Sequence, residues 1–154
     1  MVAGAQVRDG SRMDTDPCRT AVDAVDVTDR AALARATERL AADHLVAAHG
    51  LTIVATNLRV ALEDLRGELD VVAQDPVTGL LVVCEVKART GATGAGASET
   101  LGARQQGRIR RMTSVLLAQR TLRARQVRFD LVTVDLGAPR HCTSATLRHH
   151  AGAW

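Results

Sequence analysis

Two short segments of this 154-residue chain carry side chains suited to hydrolytic chemistry, Gly67-Glu-Leu-Asp70 and Glu85-Val-Lys87. Side chains alternate faces along a strand, so Glu85 and Lys87 point the same way, as do Glu68 and Asp70. The intervening Asp75-Pro-Val-Thr-Gly79 has the residues of a turn. If that turn closes a hairpin, Asp70 lies across from Glu85, and two carboxylates and an ammonium meet on one sheet face. Paired carboxylates are hard oxygen ligands that suit Mg²⁺. A metal beside a lysine activates water and neutralises charge on a phosphate under attack. Such groups are expensive to bury unless they pair or hold an ion. A structural ion pair at a strand end accounts for the same residues, and the spacing alone leaves both readings open. Lys87 is the single lysine among 20 basic residues. A compact, titratable charge differs from a planar guanidinium, so this position asks for an explanation.

The elements that must position these groups follow from periodicity. A helix is expected from about Asp29 to His49, capped by Thr28 or Asp29 and stopped by Gly50. Leu33, Ala36, Leu40 and Ala47 form one stripe of it, with Ala34, Ala41 and Leu45 beside them. Leu51–Val60, Glu68–Gln74 and Leu80–Lys87 read as strands of an antiparallel meander, the last apolar on both faces like a central strand. The glycine-rich stretch Arg89–Ser98 reads as a mobile loop. A second helix, about Glu99–Arg120, carries Gln105, Ile109, Met112 and Leu116 on one face. Val127–Asp135 is a further strand, which the crossover helix allows to pair in parallel with an earlier one. The expected fold is therefore α/β, a mixed four- to five-stranded sheet flanked by helices in the order α-β-β-β-α-β. Residues 1–28 read as a disordered acidic tail before a domain spanning 29–154. Thr143–His150 reads equally as a short strand or a surface turn, with Trp154 packing back.

Composition narrows the function classes. The longest apolar run, Leu80–Cys84, is far too short to cross a bilayer, and no secretory signal pattern opens the chain. Three widely spaced cysteines argue against a disulfide scaffold and for a reducing, cytoplasmic setting. Phe129 and Trp154 are the only aromatics, so recognition by base stacking is not expected. The net charge of +3 is unevenly spread: residues 1–28 are net acidic, whereas Arg104–Arg128 holds eight arginines and no acid. Such a block suits a polyanion, although a solvated helix face in an arginine-rich chain has the same composition.

These residues together resemble the YraN-like family of small bacterial proteins, in the restriction-endonuclease-like superfamily marked by PD-(D/E)xK. The resemblance covers roughly residues 33–135 and rests on Glu38, Asn57-Leu-Arg59, Gly67-Glu-Leu-Asp70, Val83-Cys-Glu-Val-Lys87 and Arg128-Phe-Asp-Leu-Val132. The closing Arg148-His-His-Ala-Gly-Ala-Trp154 is similar as well. The resemblance implies a restriction-endonuclease-like core in which Asp70 and Glu85 hold Mg²⁺ or Mn²⁺, with the Val86 carbonyl as a further ligand. It makes Lys87 the group that orients water or stabilises the transition state, and brings Glu38 in from the first helix. An exposed surface carboxylate is the competing reading of Glu38. Two departures stand out: Thr37 precedes Glu38 where the family has glycine, and Gln105 or Gln106 stands where it has lysine. Gln105 can hydrogen-bond a metal-bound water but brings no charge, and Arg104 and Arg108 are nearby to act on phosphate. The implied function is a metal-dependent endonuclease acting on DNA, with branched or damaged structures among its candidate substrates. The alternative is an inactive nucleic-acid-binding module of the same fold, using Arg59, Arg104, Arg108 and Arg111. Arg59 has a second assignment, an ion pair with Glu68.

His141-Cys142 and His149-His150 lack the spacing of a zinc finger and are expected to be structural or exposed. Cys84 should be a small buried hydrophobe facing away from Glu85.

Overall fold

The computed structural model describes residues 17–26, 28–89, 101–136 and 141–154. Its elements run β1 (Cys18–Asp26), α1 (Arg30–His49), β2 (Thr52–Ala61), β3 (Arg66–Gln74), β4 (Leu81–Arg89), α2 (Ala103–Ala118), β5 (Val127–Asp135) and β6 (His141–His150). The strands form one six-stranded sheet in the order β1-β6-β5-β4-β3-β2. β4 and β5 are parallel, and every other pair is antiparallel.

Local signals explain the expected elements. Asp29 Oδ1 accepts from the N–H groups of Ala31 and Ala32 at 2.9 and 3.0 Å, satisfying donors that the first turn of α1 leaves free. Gly50 ends the helix in the left-handed region at φ 64°. At the β3–β4 turn, Asp75 Oδ1 accepts from Val77 N–H and Thr78 N–H. The meander, the parallel β4–β5 pair and the central place of β4 follow the sequence.

The sheet is larger than expected. Six strands replace four or five, because both termini add one. β1 falls within the segment read as a disordered tail, and Thr143–His150 belongs to a ten-residue strand. These two strands pair with each other, Cys18 opposite Leu147 and Asp26 opposite His141. Pairing over so great a sequence distance leaves no local periodicity to detect. Residues 1–16 and 90–100, including most of the expected loop, lie outside the described residues.

Two cores lie on the two faces of the sheet. On the α1 side, Ala41, Ala42 and Leu45 pack with Val71, Ala73, Val82, Cys84, Val132 and Val134. On the α2 side, Ile109, Met112 and Leu116 pack with Leu69, Val72, Leu81, Val83 and Leu131. Cys84 is fully buried on the face away from Glu85, and burial pushes its thiol pKa well up. Trp154 stacks on Phe129 with ring centroids 5.9 Å apart, which anchors the last residue as expected. No helix among the described residues is long and apolar enough to cross a membrane.

Candidate active site

The site opens where β3 and β4 part. Their pairing runs from Gln74 opposite Leu81 to Val71 opposite Cys84 and then stops. Asp70 and Glu85 would pair next. Instead Asp70 Oδ2 accepts from Val86 N–H at 2.8 Å, so a carboxylate takes over a strand hydrogen bond. Leu69 belongs to the α2-side core and Val71 to the α1-side core. Residues two apart in a regular strand share a face, so the alternation is broken at Asp70. Beside it on β2, Asn57 holds the left-handed region at φ 51°. Asparagine tolerates that conformation better than most residues, and such strained positions cluster at functional sites.

Glu85 is buried, and its Oε1 accepts from Lys87 Nζ at 2.9 Å and from Gln105 Nε2 at 2.5 Å. Gln105 reaches the carboxylate from the first turn of α2, on the stripe continued by Ile109, Met112 and Leu116. Glu38 approaches from α1, nearly buried, and its Oε2 accepts from Asn57 Nδ2 at 2.7 Å. The inward reading of Glu38 is thus the one observed. Burial and the neighbouring Glu85 charge raise the pKa of Asp70 to about 7, with a smaller upward push from Glu38. The Val86 N–H and the Lys87 ammonium oppose the rise.

Asp70 and Glu85 line a cleft of about 510 Å³ together with Arg59, Gly67, Glu68, Gln105, Arg108 and the apolar Ile109 and Met112. Among the described residues, no hydrogen bond reaches Asp70 Oδ1 or Glu85 Oε2, so each carboxylate keeps an oxygen for a ligand. Clustered carboxylates with uncommitted oxygens, one of them with a pKa lifted by burial and by the neighbouring Glu85 charge, fit a divalent, oxygen-preferring cation. A hollow of about 670 Å³ beside Thr78, Gly79 and Arg123–Gln126 has no carboxylate in its lining.

The arginines are used unevenly. Arg59 Nε lies 3.8 Å from Glu68, so the ion-pair reading is the one seen. Arg111 pairs with Asp64, and Arg108 donates to the carbonyl of Arg66. Arg104 is exposed at the start of α2.

Gly67 packs closely against Arg108 and Met112. A Cβ there would stand 2.8 Å from Arg108 Nη2 and 2.9 Å from Met112 Sδ. Arg108 can swing into solvent, but buried Met112 cannot. Gly67→Ala is expected to cost about 1–3 kcal/mol in urea unfolding. A variant as stable as the wild type would show that Met112 repacks freely.

Sequence reading missed one constellation. Asp130 is fully buried and accepts from Arg128 Nε and Nη2, each at 2.8 Å, from Gly152 N–H at 2.9 Å, and from His149 Nε2 at 2.9 Å. Burial alone would raise its pKa, but these donors hold it below the ordinary carboxylate value. His149 Nδ1 is 2.9 Å from His49 Nε2, and His44 lies alongside. Burial and the neighbouring imidazoles lower the pKa of His44 to about 4 and that of His49 below its usual value. The available signal was His44 and His49 on one helix. Pairing them with His149, 100 residues from His49, required the fold.

The chain matches the profile of the uncharacterised protein family UPF0102 over residues 37–134. It belongs to that family. The UPF0102 match holds Glu38, Asp70, Glu85, Lys87 and Gln105, and leaves out β1 and β6. A UPF0102 protein of Mycolicibacterium smegmatis is 37% identical over 111 residues, 72% of this chain and 86% of the relative. A UPF0102 protein of Frankia casuarinae is 42% identical over 104 residues, 68% of this chain and 82% of the relative. One from Mycolicibacterium gilvum is 36% identical over 123 residues, covering 80% and 94%.

Proposed function

We propose that this UPF0102 chain is a metal-dependent nuclease with a restriction-endonuclease-like core, hydrolysing phosphodiester bonds in DNA, branched or damaged structures included. The observation that carries the reading is the convergence of Asp70, Glu85 and Lys87 where β3 and β4 part, with Asp70 Oδ1 and Glu85 Oε2 taking no hydrogen bond among the described residues. The antiparallel meander followed by a crossover helix and a parallel strand supports the proposed core.

Asp70 and Glu85 would hold Mg²⁺ or Mn²⁺, with the Val86 carbonyl as the further oxygen implied by family resemblance. When bound, the ion supplies Lewis acidity and offsets phosphate charge. Lys87 does not line the cleft but sets a positive charge beside Glu85 and, partly exposed, would be available to a phosphate oxygen or a water that reaches Glu85. Gln105 fixes the Glu85 carboxylate, and Asn57 fixes Glu38. Arg104 and Arg108 stand on α2 for the phosphate backbone, which suits recognition of shape rather than base sequence.

Cleavage of linear and branched DNA by the full chain, with Mg²⁺ or Mn²⁺ and with chelator, tests this. Lys87→Ala is expected to lower the rate by about 100-fold or more. Activity that is unchanged in this variant, or indifferent to chelator, rules the assignment out.

A second reading, a DNA-binding module without turnover, is favoured by one contact. Gln105 occupies Glu85 Oε1 at 2.5 Å with an amide, where the resembled family has a cation. Here the expected result is salt-sensitive binding. Arg104→Ala and Arg108→Ala should each flatten the slope of log K against log salt by about 0.9. Arg111→Ala should flatten it less, because Asp64 already neutralises that guanidinium. Undetectable DNA affinity at low salt removes both readings.

A further inference from the structure

We propose that His44, His49 and His149 form a binding site for one borderline transition-metal cation, Zn²⁺ or a close analogue, on the α1 side of the sheet. It is separate from the carboxylate cleft and independent of the nuclease reading.

The three rings each offer a nitrogen, and these nitrogens all lie within 4.8 Å of one another. Their centroids are 4.7, 5.3 and 5.6 Å apart, with interplanar angles of 75°, 73° and 84°. The rings stand edge to face, which brings their nitrogens near one another without stacking. Ligand nitrogens around a tetrahedral Zn²⁺ stand about 3.3 Å apart for Zn–N bonds of about 2.0–2.1 Å. The 2.9 Å between His149 Nδ1 and His49 Nε2 is a hydrogen-bond contact shorter than that, so an ion would part these two rings slightly. His44 and His49 are only partly buried, so they have room to adjust.

Asp130 prepares the ligand set. Its ionised carboxylate only accepts, so His149 Nε2 must carry the ring proton. That leaves Nδ1 as an acceptor, so His49 Nε2–H donates to it, and an ion that takes both nitrogens requires His49 to release that proton or shift it to its own Nδ1. A carboxylate that fixes the tautomer of a ligating histidine is the usual second layer of a metal site. The Arg128 fork binds both oxygens of Asp130, which balances its charge next to the site. Among the described residues, His44 Nε2 is buried with no hydrogen-bond partner, an arrangement that folding by itself does not reward.

Three imidazoles select against Mg²⁺, which prefers oxygen, and for Zn²⁺, Co²⁺ or Ni²⁺. A tetrahedral ion here would take its fourth ligand from water. Because the site joins the end of α1 to β6, a bound ion ties together segments 100 residues apart and stabilises the fold.

The test uses the full, untagged chain stripped of metal. Zn²⁺ titration against a chromophoric chelator is expected to give one tight equivalent, with Kd about 1 µM or lower. Mg²⁺ in excess should not compete, and Zn²⁺ should raise the Tm. His44→Ala and His49→Ala should each weaken binding by about 100-fold. His44→Ala should leave the metal-free Tm near that of the wild type, whereas His49→Ala should lower it somewhat by removing the partner of buried His149 Nδ1. Glu85→Gln should leave the isotherm unchanged, since it alters only the carboxylate cleft. Co²⁺ on the wild type should give the intense visible bands of a four-coordinate ion, a readout that needs no variant. Absence of Zn²⁺ binding, isotherms unaltered in both histidine variants, loss of binding in Glu85→Gln, or a weak six-coordinate Co²⁺ spectrum would each overturn the proposal.

Discussion

Asp130→Ala is expected to lower folding stability by about 3–5 kcal/mol, read as a fall in the urea midpoint at unchanged m. The carboxylate is fully buried and takes four hydrogen bonds, from the Arg128 fork, Gly152 N–H and His149. Removing it strands the buried donor on His149 and takes the partner from a guanidinium that is itself largely covered. It also frees Gly152, and with it the turn that leads to Trp154. The network joins β5, β6 and the C-terminus, so the β6 edge should loosen first. Because the donors hold Asp130 below its ordinary pKa of 3.8, its stabilisation is complete above that value and lost as pH falls through the lower folded one. The gap between variant and wild type should therefore narrow in acid. Asp130→Asn, which keeps the shape and loses the charge, should fall between the two. A neutral Asp130→Ala would mean that the buried network contributes nothing to stability.

Asp70→Asn should act in two directions. On the nuclease reading, metal-dependent cleavage falls by about 1000-fold or more, because the cation loses a charged ligand. In metal-free buffer the same variant should be more stable than the wild type at pH 8, by about 1–3 kcal/mol. Burial and Glu85 raise the Asp70 pKa from 3.8 to about 7. A raised carboxyl contributes stability that is fully present below 3.8 and lost as pH climbs through about 7. Above that, the folded protein carries an ionised group its surroundings disfavour. Asparagine carries no such charge, so the advantage of the variant should grow between pH 4 and 8. Weaker acceptance from the Val86 N–H keeps the gain below the full electrostatic value. Saturating Mg²⁺ should erase the advantage by stabilising only the wild type. Equal stability at every pH would show that neither burial nor Glu85 strains Asp70, and the electrostatic support for a cation site would go with it.

The groups of the candidate site were legible to different degrees. Glu85 and Lys87 follow from alternation on β4 alone, and their 2.9 Å contact needs no tertiary information beyond the strand. That Asp70 faces them required the β3–β4 turn, which Asp75, Pro76 and Gly79 announce in sequence. The break in pairing at Asp70 was not legible, since nothing in Gly-Glu-Leu-Asp distinguishes a regular strand from one that parts from its neighbour. Gln105 followed the stripe of α2, whereas the tying of Arg111 to Asp64 did not follow from any periodicity.

What the sequence determined by itself were the elements whose causes lie within a few residues: the Asp29 cap and Gly50 stop of α1, the meander, the apolar β4 and the crossover to β5. Each depends on neighbouring backbone groups or on a short repeat of apolar side chains, which any fold must respect. Tertiary structure alone decided the pairing of β1 with β6, the parting at Asp70, and the meeting of His44, His49 and His149 with Asp130 nearby. Those arrangements join segments far apart in the chain. Their free energy comes from pairing and burial that exist only once the sheet has closed, so no local pattern encodes them.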